Sequence, residues 1–240
     1  MKKFGFTLAE VLITLAVVGV VAAMTIPTLV VSYQKQQYVA GLKKAYTQAY
    51  QSIINLTTNL GCAGDLKCTN LFSSFTVDAD PDSDPDGYDD EFMDKYKQGL
   101  QGFGDAFANY FKVLKNCGTA STDCFESVVS YTYDGKVKVG IPLGYSFINQ
   151  DGTALMVTSW HNDCNDSNFC GELYIDVNGP NKPPNSMGRD IFAYNLGKTH
   201  FLWPLPWRDI TGAPRYCYPG NTHGESCASR IMEDGWQMNY

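Results

Sequence analysis

Histidine is scarce in this 240-residue chain: three copies, at 161, 200 and 223, too scattered for the paired spacing of a zinc site. None of the eight cysteines stands in a C-x-x-C arrangement, which also disfavours structural zinc. The chain has no G-x-S-x-G elbow, no Walker loop, no H-E-x-x-H helix and no dinucleotide fingerprint. His161 beside Asp163 and Cys164 is the one group that resembles a catalytic cluster, and a disulfide at Cys164 would remove its thiolate. An enzyme is therefore not expected. Basic residues are in the minority, 18 against 25 acidic, for a formal charge of −7. Phosphate contacts need clustered Lys and Arg, so general nucleic-acid binding is not expected either. With 44% apolar and 13% aromatic residues the chain can bury a core, which excludes wholesale disorder.

Charge is missing altogether from residues 11–31, an apolar run broken only by Thr14, Thr25, Pro27, Thr28 and small residues. About 20 such residues suffice to cross a bilayer as a helix. Lys2 and Lys3 precede the run and should stay cytoplasmic, which sends the remainder outward. A lone carboxylate, Glu10, opens the run, and a charge in hydrocarbon costs several kcal/mol unless it finds a partner.

Gly5-Phe6-Thr7-Leu8-Ala9-Glu10 followed by this run resembles the class III signal of type IV pilins and type II secretion pseudopilins. The resemblance is specific over residues 1–32, weaker along the helix to Leu60, and faint beyond. It implies that a prepilin peptidase cuts between Gly5 and Phe6 and N-methylates Phe6, keeping the apolar segment that an ordinary signal peptide loses. Gly19 and Pro27 sit where family members loosen or kink the helix. The partners implied are the peptidase, other pilin or pseudopilin subunits, an inner-membrane assembly platform and the bilayer. The location implied is a single-pass inner-membrane protein with a cytoplasmic N-terminus, later part of a periplasmic pseudopilus or a surface filament. Glu10 would pair with the amine of a neighbour's Phe6, favouring filament entry and fixing axial register; snorkelling to the interface is the plainer role. Two functions stay open: a structural filament subunit, or a membrane-anchored or tip-located adhesin that binds a ligand through its head.

The resemblance divides the chain into a leader (1–5), a transmembrane and assembly segment (6–32), an amphipathic helical segment (33–60) and an extracytoplasmic head (61–240). Val39, Leu42, Tyr46, Ala49, Ile53, Leu56 and Leu60 recur at steps of three and four, one side of a helix, and Gly61 is a plausible stop. From Phe6 to Leu60 that helix would run roughly 80 Å. Pro27 lacks the backbone donor, so it should kink or locally melt the helix.

In the head the cysteines fall as four close couples, and local closure is the simplest pairing: Cys62–Cys68, Cys117–Cys124, Cys164–Cys170 and Cys217–Cys227. An even count in an exported domain fits an oxidising compartment. Residues 77–91 are strongly acidic. Asp82, Asp84 and Asp86 before Gly87 match the first half of a calcium loop, with Asp90 at its ninth place. Met93 occupies the twelfth place, where a bidentate acid belongs, so a self-repelling solvated loop competes with bound Ca2+.

Phe92, Tyr96, Leu100, Phe103, Phe107, Tyr110, Phe111 and Leu114 predict one or two amphipathic helices over 91–114, with a break at Gly99, Gly102 or Gly104. Residues 145–149, an Asp151-Gly152 turn and residues 154–159 predict a hairpin. Strands are expected at 173–177 and 191–196, with a short one at 201–203, and the tail from Cys227 as a final packed element. Between them Asp176, Asn178 and Asp190 either share a cation or build turns. The expected fold is α+β, a long N-terminal helix packed on an antiparallel sheet.

Overall fold

The structure is a computed structural model. It describes residues 7–72, 90–119, 122–125, 130–131, 138–139, 144–159, 164–165, 169–206, 211–214, 216–218 and 224–240. Helix α1 is Leu8–Asn59, α2 is Asp90–Ala108 and α3 is Cys227–Glu233. The chain divides into two compact units, Met1–Gln37 and Tyr38–Tyr240.

In the first unit α1 is a lone apolar helix. It continues through Gly19 and Pro27, so the local melting expected at the proline is absent. The hydroxyls set in the apolar run are satisfied by the helix itself. Thr14 Oγ1 donates to the Val11 carbonyl at 2.9 Å, Thr25 Oγ1 to Val21 at 3.0 Å and Thr28 Oγ1 to Thr25 at 2.8 Å.

In the second unit the helix buries one face. Val39, Leu42, Ala45, Ala49, Ile53 and Leu56 join the core and Tyr46 packs at its margin, whereas Leu60 is 50% exposed. Leu60 lies within the turn that closes the helix, where its N–H still donates to the Leu56 carbonyl at 3.1 Å. Gly61, at φ 73°, donates to the Thr58 carbonyl at 3.0 Å, and Cys62 donates to Thr57 at 2.8 Å. This paired closure needs a residue with positive φ, which glycine supplies without strain.

The sheet has six strands in the order β1-β4-β5-β6-β7-β8, every neighbour antiparallel. They are Val113–Gly118, Tyr145–Asn149, Ala154–Ser159, Gly171–Asp176, Ile191–Leu196 and Leu202–Trp203. Ser130–Tyr131 (β2) and Lys138–Val139 (β3) form a separate pair. Alternation sends two cross-strand rows to the helix side: Phe147-Leu155-Ile175-Phe192 and Tyr145-Val157-Leu173-Tyr194. The opposite face is covered too, with Phe125, Met156, Tyr174, Met187 and Ala193 in a second buried cluster. The fold is α+β, as expected.

Two expectations over 91–114 need correction. α2 is a single helix that runs through Gly99, Gly102 and Gly104 and ends at Ala108. Leu114 belongs to the outer strand β1 and is 68% exposed. Gly104 serves packing: a Cβ there would overlap the Tyr145 ring. Tyr145 then donates to Asp105 at 2.6 Å and accepts from Asn116 at 2.6 Å, tying α2, β4 and β1 together. Burial and the Asp105 hydrogen bond push the Tyr145 phenol far above its ordinary range.

All four proposed disulfides are present, each joining close neighbours in sequence. Cys217–Cys227 fastens the start of α3, and the Cys227 sulfur would lie 2.6 Å from a Cβ at Gly188. The tail is packed: Trp236 lies beside Tyr46, Lys43 sits over the Trp236 ring, and the Tyr240 hydroxyl donates to the Gly188 carbonyl at 2.9 Å.

Candidate functional site

The chemistry of this chain concentrates at the start of α1. Thr7 is the residue before the helix, and Glu10 lies three residues on. Thr7 N and Thr7 Oγ1 both donate to Glu10 Oε2 at 2.8 Å, and Glu10 N donates to Thr7 Oγ1 at 3.3 Å. This is a reciprocal capping box, in which side chains at each end satisfy backbone donors the helix leaves unpaired. The T-x-x-E spacing of Thr7 and Glu10 is the sequence signal for this box, a role for Glu10 beyond the pairing or snorkelling expected of it. The carboxylate therefore has hydrogen-bond donors within its own chain and, among the described residues, no cation. Gly5 and Phe6 lie outside the described residues.

Beyond the cap, fourteen large apolar side chains from Leu8 to Val31 are at least 42% exposed. At about 1.5 kcal/mol for each buried aliphatic side chain, leaving them in water forfeits about 20 kcal/mol. That exceeds the whole stability of a typical domain, so the segment suits a bilayer or a bundle of helices better than water. Tyr33, 62% exposed, follows the run, in the place where amphipathic aromatics mark a membrane interface.

The other candidate sites behave differently. Asp82, Asp84 and Asp86 lie outside the described residues, and only the backbone of Asp90 is described, opening α2. His161 and Asp163 are also outside them, while Cys164 is joined to Cys170 and has no thiol. Among the described residues no group of three or more ligating side chains gathers.

Asp176, Asn178 and Asp190 come together in one loop, where both carboxylates serve the backbone. Asp176 Oδ1 accepts from Asn178 N at 3.1 Å and Gly179 N at 2.8 Å. Asp190 Oδ2 accepts from Asn185 N at 2.9 Å and Oδ1 from Ser186 N at 2.7 Å. Burial raises the Asp190 pKa above its ordinary value against the pull of these donors. Asn178 Nδ2 closes the loop on the Lys182 carbonyl at 2.9 Å. The loop packs on the first turns of α1 in the head: a Cβ at Gly41 would lie 3.2 Å from Val177 Cβ. Burial raises the Tyr38 phenol, with Asp190 adding to the shift, Arg189 opposing it and Asp176 adding again.

The family model for the prokaryotic N-terminal methylation motif matches residues 1–26. Comparison with curated proteins and with solved structures found no match. The matched stretch holds the Gly5-Phe6 junction, the capped Glu10 and most of the exposed apolar helix, and it is the prepilin signal found in type IV pilin and pseudopilin-type proteins.

Proposed function

We propose that the chain is a structural subunit of a type IV pilus or a type II secretion pseudopilus, cut after Gly5, N-methylated at Phe6 and polymerising through α1. The observation that carries this reading is the pairing of a methylation motif with a long helix whose apolar side chains stay exposed. A helix of that kind is stable in a bilayer before assembly and among like helices afterwards. It needs only one transfer between two apolar surroundings.

Glu10 supplies direction to the transfer. In the lone subunit its charge is met by neutral donors from Thr7. A neighbour's Phe6 ammonium would add the missing cation, and a charge-assisted pair is roughly twice as strong as neutral hydrogen bonds. Only one axial offset between subunits brings the two together, so register follows from the same contact. The head, outside the membrane, would be displayed along the filament with its four disulfides.

The test is mass spectrometry of the chain from cells that possess a prepilin peptidase, combined with immunogold microscopy. The expected mature form begins at methylated Phe6, and label runs along filaments. A mature chain lacking the helix, or one still carrying residues 1–5, would sink the proposal.

A further inference from the structure

We propose that Thr7 is a positioning residue for maturation: together with Glu10 it ends α1 just past the Gly5–Phe6 bond, so that the bond meets the peptidase outside the helix. The inference rests on the reading that a prepilin peptidase cuts after Gly5, and it adds what in this chain opens that bond to the cut.

The hydrogen bonds of the capping box decide where the helix stops. In a helix continued toward the N-terminus, the N–H of Thr7 would donate to the Lys3 carbonyl and the N–H of Glu10 to the Phe6 carbonyl. Both donors are instead taken by side chains. Thr7 N donates to Glu10 Oε2 at 2.8 Å, and Glu10 N donates to Thr7 Oγ1 at 3.3 Å. Val11 N then donates to the Thr7 carbonyl at 3.2 Å, where the ladder of α1 begins among the described residues. An N-cap residue stands outside the helical backbone angles, so Thr7 cannot hold the box and also extend the helix.

No other side chain near the junction can take this part. Residues 1–13 hold no further Ser, Thr, Asn or Asp, the residues that cap helices. Gly5 would weaken a helix without ending it, since α1 runs unbroken through Gly19. Beside a bilayer an unpaired backbone N–H is costly, which favours continued helix wherever no cap supplies a partner. The matched methylation motif spans both the junction and the cap.

Hydrolysis adds water across the Gly5–Phe6 amide, releasing Gly5 as a carboxylate and Phe6 as an ammonium. Proteolysis takes peptide bonds from unwound backbone, and its rate follows the fraction of chains in which the bond is open. Thr7 acts on that fraction through Glu10.

The experiment gives the full precursor, in detergent micelles, to a purified prepilin peptidase and reads kcat/KM from initial rates by mass spectrometry. Thr7→Val should lower kcat/KM about fivefold, the factor that one N-cap is worth. Thr7→Ser keeps the hydroxyl and should stay within about twofold of the unsubstituted chain. Glu10→Ala should also slow the cut, and the double variant Thr7→Val, Glu10→Ala should be no slower than the slower single one, because both open the same box. Unchanged cleavage of Thr7→Val would overturn the inference, as would a Thr7→Ser chain as slow as Thr7→Val. Losses that multiply in the double variant would mean that the peptidase reads the two side chains separately, which overturns it too. An unsubstituted chain that is not cut between Gly5 and Phe6 would overturn the maturation reading beneath it, a separate outcome from the variant rates.

Discussion

Glu10 has two tasks that substitution can separate. Thr7→Val removes the hydroxyl of the cap and keeps the carboxylate, costing about 1 kcal/mol at the helix start. Glu10→Ala keeps the Thr7 hydroxyl but removes the carboxylate, leaving no anion for a neighbour's amine. Quantified by immunoblot of sheared filaments, Thr7→Val should lower yield modestly and Glu10→Ala at least about tenfold, a loss of about 1.4 kcal/mol or more per contact. Normal yield in Glu10→Ala would remove the pairing role. Gly104→Ala tests the head alone. Its methyl would fall inside the Tyr145 ring, and overpacking of this kind costs about 1–3 kcal/mol, read as a lower melting temperature. Asp151 gives a pH test. Burial alone would raise its pKa, but the Lys44 ammonium at 2.7 Å and the Thr153 N–H outweigh it and hold the carboxyl below its ordinary value. A depressed pKa contributes stability that is present above the unfolded value near 4 and is lost as pH falls through the folded value. Asp151→Asn should therefore lower stability modestly at pH 7, the pair being partly exposed, and the difference from the unsubstituted chain should vanish as pH falls through the folded value, flattening part of the acid limb. Asp190 acts with the opposite sign. Its raised pKa means stability declines as pH rises from about 4 through the folded value.

The disulfides govern the elements around them unequally. Opening Cys217–Cys227 with a double serine substitution releases about 2.5–3 kcal/mol of loop-closure stabilisation. It also loosens the contact of α3 with Gly188 and the tail that reaches back to α1. The variant should melt earlier than one lacking Cys62–Cys68, whose loop is shorter and lies at the end of a capped helix. How far these elements were legible follows from the range of the interactions that make them. The β4–β5 hairpin, β7 and the close of α1 at Gly61 rest on alternation, turn residues and a glycine, all local, and they match the expected bounds. The cysteine pairs were readable for the same reason. The unbroken α2 was not, because Gly104 looks like a breaker until the Tyr145 ring from a distant strand is seen against it. β1 was missed because Leu114 continued a helical stripe while its pairing partners lie some 30 residues on, and two bulges blur its alternation. At the N-terminus the carboxylate was found but its threonine partner was not, although both stand within four residues.

For the whole molecule the division at Gln37/Tyr38 carries a solubility prediction. The full chain should require detergent or lipid, whereas a fragment of residues 38–240 keeps the buried face of α1 and both faces of the sheet covered. That fragment should be monomeric without detergent by sedimentation, with a melting temperature close to that of the head in the full chain. Self-association of the fragment would show that the head, and not the helix alone, drives assembly. The margins of the sheet bear on that outcome. β8 is two residues long, and β1 is bulged twice and carries Lys115. Crowded side by side at fibre density, heads with such blunt margins are poor templates for cross-β fusion. Were the chain to polymerise through α1 as proposed, a polymer joined by that greasy spine would come apart subunit by subunit with each head intact.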